Sequence, residues 1–176
     1  PVSLVLTDHV LIEPFGVPVW NNAACDRLFR ETWVRNYSAV TVSAEIGISF
    51  NLASAKKSFR PNDTITLSPG ETRIIRQSSP IANVIRWSPS DPYLYNLVSM
   101  VNRSGKTTDQ LSTPYGIRDI KWVREGAAPG FFINGQRLFI NGTCEYEHLL
   151  GGGHAFSPEQ IKARVRLIRQ AGFNAY

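Results

Sequence analysis

FFINGQRLFINGTCEYEHLLGGGHAFSPEQIKARVRLIRQAGFNAY, residues Phe131 to Tyr176, reads as a hairpin, a glycine-rich turn, one capped helix and the first residues of a new strand. Phe131-Phe132-Ile133 and Arg137-Leu138-Phe139-Ile140 flank Asn134-Gly135-Gln136. Asn-Gly between apolar runs predicts a hairpin, because both residues tolerate positive φ. Ser157-Pro158-Glu159-Gln160 supplies an N-cap, a proline at the first helical position and a capping-box partner three residues on. Ile161, Val165 and Ile168 form the apolar stripe, Lys162, Arg166 and Arg169 lie on an adjoining polar side, and Gly172 followed by Phe173 marks a stop near Ala171. Asn174-Ala175-Tyr176 then begins an extended segment. A strand, a crossover helix and a second parallel strand cannot bury their faces alone and usually belong to a larger sheet or barrel, so the unit is expected to continue past Tyr176.

Upstream of this stretch the pattern is different. The first 124 residues hold short runs rich in Val, Ile, Thr and aromatics, separated by Pro, Gly, Asn and Asp, with no sustained helical period. That predicts a mainly β chain, an immunoglobulin-like antiparallel sandwich over 1–124. The expected strands are Val2 to Leu6, Val10 to Glu13, Phe29 to Arg35, Val40 to Phe50, Thr64 to Leu67, Thr72 to Arg76, Tyr93 to Val101 and Tyr115 to Val123. Thr32 and Val34, and Val40, Val42, Ala44, Ile46 and Ile48, put one face inward, while Thr41, Ser43 and Glu45 face water. Pro69-Gly70 reads as a tight turn making a hairpin of Thr64–Leu67 and Thr72–Arg76. Arg124 to Gly130 is small, polar and turn-rich, which sets the domain boundary there, with 125–176 as the second region.

Composition narrows the class. With 43% hydrophobic residues, 9 Phe, 6 Tyr and 4 Trp, the 176-residue chain can pack a core. The apolar runs fall far short of the roughly 20 residues that span a bilayer, and no leader is readable from Pro1 onward, so no membrane span is expected and no compartment is assigned. The net charge of +5 raises the question of nucleic acid. Lys162, Arg164, Arg166 and Arg169 supply much of it from one amphipathic helix, and no nucleic-acid-binding signature accompanies them, so no nucleic-acid partner is expected. Cys25 and Cys144 fit no metal-ligand spacing; no metal and no cofactor are expected. Asn-x-Ser/Thr sequons at Asn36, Asn62, Asn102 and Asn141 are too short a pattern to assign glycosylation.

Three blocks in order carry a resemblance. Trp87-Ser88-Pro89-Ser90-Asp91-Pro92-Tyr93-Leu94-Tyr95, Tyr115-Gly116-Ile117-Arg118-Asp119-Ile120 and Phe132-Ile133-Asn134-Gly135-Gln136-Arg137-Leu138-Phe139-Ile140-Asn141-Gly142 are similar to blocks of glycoside hydrolase family 2, which includes β-galactosidases, β-glucuronidases and β-mannosidases. The resemblance implies that Gly142 to His148 is the first strand of a (βα)8 barrel, Ser157 to Ala171 its first helix and Asn174 onward its second strand. It also implies retaining hydrolysis of terminal sugars, with an acid/base and a nucleophile glutamate on later strands beyond Tyr176 and therefore no catalytic residue in this chain. The implied partners are a carbohydrate substrate bound by the full-length barrel, the remaining barrel and an N-terminal sandwich domain; a parent in the periplasm or secreted is compatible with it. This stretch alone is then expected to be inactive.

The candidate substrate-binding residues are Glu145, Tyr146, Glu147 and His148. After the strand glycine the family usually shows V-N-R-H-E, whereas this chain has Thr143-Cys144-Glu145-Tyr146-Glu147-His148, retaining the glutamate at Glu147. Tyr146 would inherit the sugar contact of the family's His, with a phenol that stacks on a pyranose and donates a hydrogen bond. Glu145 and Glu147, two apart on one strand, point to the same side and could approach the spacing of a catalytic pair, but one strand forms no sugar-shaped cavity; a salt bridge or support of neighbouring strands and substrate contact by one of them weigh equally. Gly151-Gly152-Gly153 lacks the Lys-Ser/Thr of a phosphate loop, and for His148, and more so for His154, surface hydrogen bonding is the plainer reading than sugar contact. Two other readings stand beside the glycosidase: a free-standing carbohydrate-binding sandwich using some of Trp20, Trp33, Trp87 and Trp122, and a structural module that spaces other domains. For the four tryptophans, core packing is the simpler expectation.

Overall fold

The computed structural model describes residues 4–52, 55–57, 63–144 and 153–176, with the backbone alone for 50–52 and 55–57. The chain folds into two compact units, one ending at Asp119 and one running from Ile120 to Tyr176.

The first unit is an antiparallel β-sandwich. One sheet contains β1 (Val10–Ile12), β2 (Val19–Asn21), β3 (Arg27–Asn36) and β7 (Thr72–Pro80), with β3 central. The other contains β4 (Val42–Leu52), β5 (Ala55–Lys57), β6 (Asp63–Leu67), β8 (Tyr95–Arg103) and β9 (Lys106–Tyr115). Alternation along the strands drives the packing: Leu28, Thr32 and Val34 of β3 and Val42, Ala44, Ile46 and Ile48 of β4 are buried. Val10, Ile12, Val34 and Ile75 from one sheet meet Ala44, Ile46, Leu67 and Val101 from the other. Each of the Val, Leu and Ile side chains contributes about 1.5–3 kcal/mol by leaving water. A second cluster joins Cys25, Leu28, Ile81, Tyr95, Leu97 and Ile117. The buried Tyr95 hydroxyl accepts from Ile85 N at 2.7 Å, the kind of tie from a late strand to upstream backbone that marks immunoglobulin-like sandwiches.

Among the described residues, one charged side chain is buried. Arg30, 2% exposed, donates from Nη1 to Ser99 Oγ at 2.8 Å and from Nε to Gln77 Oε1 at 3.2 Å, and Gln77 in turn donates to Asp63 Oδ2 at 2.6 Å. The relay ties β3 and β7 of one sheet to β8 and β6 of the other. Burial pushes the guanidinium down to about 9, with Asp63 acting against the shift.

Several expectations change. The Pro69-Gly70 turn does not make a hairpin: Leu67 ends a strand paired with β4, whereas Thr72 begins one paired with β3, so the turn crosses between sheets. Asn36 explains how. Fully buried, its Nδ2 donates to the carbonyls of Val40, Leu67 and Ser68, while its backbone N–H donates to Glu71 O and its carbonyl accepts from Gly70 N. Leu4, Val5 and Leu6 form no strand and are exposed. Strand β9 is an addition; Ser104 (φ 50°) and Gly105 (φ 76°) make the two-residue turn that pairs Arg103 with Lys106. The expected strand from Tyr115 to Val123 is broken, and Ile120–Val123 pairs with Gly130–Ile133 instead. None of the four tryptophans is buried: Trp20, Trp33 and Trp122 are exposed and Trp87 is half-buried.

Two of the family-like blocks meet at Trp87. Its backbone N–H donates to Ile117 O at 2.8 Å, Arg118 lies 5.0 Å from its ring centre, and a Cβ on Gly116 would come within 2.8 Å of the ring. Gly116 is therefore the residue that lets the indole lie against the chain there. Asn21, unremarked in the sequence, binds the same segment, donating to Arg118 O at 2.9 Å and accepting from Tyr115 Oη at 2.6 Å.

In the second unit, β10 (Ile120–Val123), β11 (Gly130–Ile133) and β12 (Gln136–Leu138) form a meander. Asn134 (φ 53°) and Gly135 (φ 78°) turn β11 into β12 as the Asn-Gly pair predicts. Helix α1 (Pro158–Gln170) follows. Among the described residues, no helix is long and apolar enough to cross a membrane.

Candidate functional site

The segment that would carry the substrate-facing residues is held at its beginning. Gly142 forms a parallel bridge with Ala175, on the far side of helix α1 in the chain, and Thr143 N donates to Ala175 O at 3.2 Å. Strand start, helix and second strand start thus form a parallel crossover, the connection that antiparallel hairpins cannot make.

Two asparagines lock that crossover. Asn174 accepts at Oδ1 from Asn141 N at 2.8 Å and donates from Nδ2 to Phe139 O at 2.7 Å, while its own N–H donates to Asn141 O at 2.9 Å. Asn141 Nδ2 reaches Gly172 O at 3.2 Å. Polar backbone that a short bridge would leave open is satisfied by these side chains instead. The sequence shows Asn141 only as a sequon residue within a family-like block and Asn174 only as the start of an extended segment; their partnership across 33 positions carries no local signal.

Helix α1 sets the distance between the two strand starts. Ser157 Oγ accepts from Gln160 N at 3.2 Å and Gln160 Oε1 accepts from Ser157 N at 2.8 Å, closing the capping box. At the other end Gly172 (φ 89°) donates to Arg169 O and Phe173 N to Ile168 O, the paired bonds of a Schellman stop. The chain therefore leaves the helix sharply enough for Asn174 to reach Asn141. No residue of the helix is buried, and Ile161, Val165 and Leu167 are exposed.

Glu145, Tyr146, Glu147 and His148 lie outside the described residues, so the described frame ends at Cys144, three residues past Asn141. His154 is described and exposed. Cys25, in the sandwich, is a buried free thiol whose pKa burial raises, and Cys144 is an exposed free thiol. Among the described residues, no three His, Cys, Asp or Glu side chains are grouped as a metal site would require.

A mainly antiparallel sandwich followed by a parallel βαβ crossover is the class of protein that these observations define. The sequence model of the glycosyl hydrolases family 2 matches residues 28–118, just over half of the chain. The chain belongs to glycosyl hydrolase family 2. It is 31% identical over 85 residues to a β-glucuronidase of Bacteroides fragilis, covering 48% of this chain and 12% of that protein. Against the β-galactosidase BoGH2A of Bacteroides ovatus the identity is 30% over 105 residues, covering 60% of this chain and 12% of that protein. The chain thus spans about an eighth of the length of these curated relatives. The crystal structure of a Bacteroides uniformis β-glucuronidase shares the fold over 95% of this chain and 21% of its own, with a TM-score of 0.82 at 17% identity.

Proposed function

We propose that this chain is the sandwich and the first βα unit of a retaining exo-β-glycosidase that removes terminal sugars from oligo- or polysaccharides, of the β-galactosidase or β-glucuronidase kind. The observation that carries the reading is the parallel bridge between Gly142 and Ala175 around helix α1, which follows a sandwich of this family and has the connectivity of a (βα)8 barrel's first step. Barrel active sites form at the C-terminal ends of the strands, so Glu145, Tyr146, Glu147 and His148 are where the first strand would contact substrate. Retaining hydrolysis needs two carboxylates about 5–5.5 Å apart, one as nucleophile and one as acid/base. Both belong to later strands in this reading, in the rest of the barrel beyond Tyr176, with an N-terminal sandwich domain as the other neighbour.

The role left to this chain is positioning. The Asn141–Asn174 clamp fixes the start of the first strand against the second, and a shift of about 1 Å in a substrate-contacting residue is enough to cost on the order of a hundredfold in rate. The test compares this chain with its full-length protein on nitrophenyl β-galactoside, β-glucuronide and β-mannoside. Turnover of one substrate by the full-length protein and none by the chain is expected. Turnover by the chain alone would overturn the assignment of catalysis to later strands, and an inert full-length protein would overturn the glycosidase itself. In the full-length protein, Tyr146→Ala is expected to lower kcat/KM without lowering Tm.

A further inference from the structure

Phe15 has no role in that reading. It is the third residue of the Glu13–Gly16 turn, which Gly16 N closes on Glu13 O at 2.8 Å, and the ring of Pro14 before it fixes that residue's φ at about −65°. A turn entered that way with positive φ at its third residue normally carries Gly or Asn there, yet Phe15 stands at φ 59° and its side chain is 100% exposed. The turn is held at both ends by Trp33, whose carbonyl accepts from Glu13 N at 2.9 Å and whose N–H donates to Gly16 O at 2.8 Å. A bulky side chain strained in its backbone and wholly in water brings no packing to the unit that carries it, and strain of this kind gathers where a surface is used.

Phe15 rims a groove of about 460 Å³ at the open edge of the sandwich, between β1 and β9, the outer strands of their sheets. Val5, Leu11, Pro14, Tyr37 and Leu111 are among its walls. Both carboxylates at the groove are engaged: Asp109 Oδ2 accepts from Ile12 N at 2.7 Å, and Glu13 accepts from Tyr37 Oη at 3.3 Å and pairs with Arg35 at 3.5 Å. Such a groove suits apolar side chains of a protein surface better than an ionic ligand. The leading segment indicates whose surface. Val5 forms part of the wall, and Leu4 and Leu6 beside it are 86% and 85% exposed, an apolar run that the sandwich leaves uncovered. The chain is pinned to the sandwich at Asp8, which accepts from Arg103 Nη1 at 3.2 Å, and at His9, whose carbonyl accepts from Tyr37 N at 2.7 Å. The inference rests on the proposed function, in which another sandwich domain precedes this chain: three residues separate Leu4 from it, at most about 11 Å of polypeptide. A tether that short holds the neighbour beside the groove at an effective concentration on the order of millimolar, which favours it over any free partner. We propose that the groove and the Leu4–Leu6 run are the seat of that preceding domain, with Phe15 as the aromatic anchor of the interface.

The photo-crosslinking residue p-benzoylphenylalanine, placed at position 15 of the purified full-length protein, identifies the occupant. After irradiation, adducts to residues that precede Pro1 in the same polypeptide are expected by mass spectrometry. Adducts to the barrel or to a second molecule, or no adduct at all, would overturn the proposal. Phe15→Asn gives an independent measurement, because Asn tolerates positive φ and removes the ring. In the 176-residue chain it should leave Tm unchanged or raise it by up to about 4 °C. In the full-length protein, hydroxyl-radical labelling of Leu4 and Leu6 should be slow, and Phe15→Asn should bring it toward the rate seen in the 176-residue chain. A lowered Tm of the variant chain would show that Phe15 serves its own sandwich, and equal labelling of Leu4 and Leu6 in chain and full-length protein would show an uncovered groove; either result sinks the interface. Turnover of nitrophenyl glycosides is measured on the same full-length preparation. A protein that turns one over but gives no adduct fails this proposal alone, and an inert protein that gives the expected adduct fails the glycosidase alone.

Discussion

Asn36 is the residue on which the sandwich turns from one sheet to the other. In the sequence it is the first residue of a glycosylation sequon; in the fold its amide is sealed inside, donating to three carbonyls. An alanine there leaves the carbonyls of Val40, Leu67 and Ser68 without that donor in a buried place, so Asn36→Ala should cost about 2–4 kcal/mol, read from the urea midpoint at unchanged m. A loss below about 0.5 kcal/mol would show that water replaces the amide. Arg30 differs in how much of it is legible. Its place on the inward row of β3 follows from the alternation, but an arginine in that row reads as a break in the pattern until Ser99 and Gln77 are seen around it. The tryptophans mislead in the opposite direction: size and hydrophobicity point to the core, yet register places Trp20 and Trp33 on outward rows. Asn21 and the Asn141–Asn174 clamp are silent for a third reason, since the backbone groups and the Tyr115 hydroxyl that they bind lie far away in sequence.

Among the elements, local chemistry is legible where one element closes on itself. Asn134-Gly135 makes its hairpin and Ser157-Pro158-Glu159-Gln160 its capped helix, because the pairs that close them, Ile133 with Gln136 and Ser157 with Gln160, lie three residues apart. The Pro69-Gly70 turn has the same local chemistry but a different outcome, because turn residues specify a reversal and not which strand each arm will pair with. Glu71 stabilises that crossing: its carboxylate accepts from Ser68 N at 2.8 Å and pairs with Arg73. The Ser68 N–H, then Arg73, holds the Glu71 carboxyl below the usual glutamate range. A carboxyl with a lowered folded pKa stabilises fully above the ordinary unfolded value and loses that contribution as pH falls through the folded one. Glu71→Gln should therefore lower Tm at neutral pH and narrow its difference from the parent below about pH 4. A constant offset across a Tm–pH series would show that the carboxylate's charge is not used.

For the molecule as a whole, the two units differ in how much they bury. Nearly all buried apolar side chains belong to residues 10–117, and in the second unit, among the described residues, Ile133 alone is buried. A chain ending at Asp119 should keep a cooperative thermal transition, while residues 120–176 alone should melt broadly without one, as calorimetry of the two pieces would show. A sharp transition from the second piece would refute this division of stability. The period of each strand's face, the turn and cap chemistry and the membership of a family are all written in the order of residues, because they depend on neighbours within a few positions or on whole blocks of text. Pairing is not: which strand lies beside β3, where β10 finds its partner and how Asn141 meets Asn174 emerge only when the chain is folded. Hydrogen bonds and burial between segments tens of residues apart select those partners, and no local pattern records which of several compatible edges will be chosen.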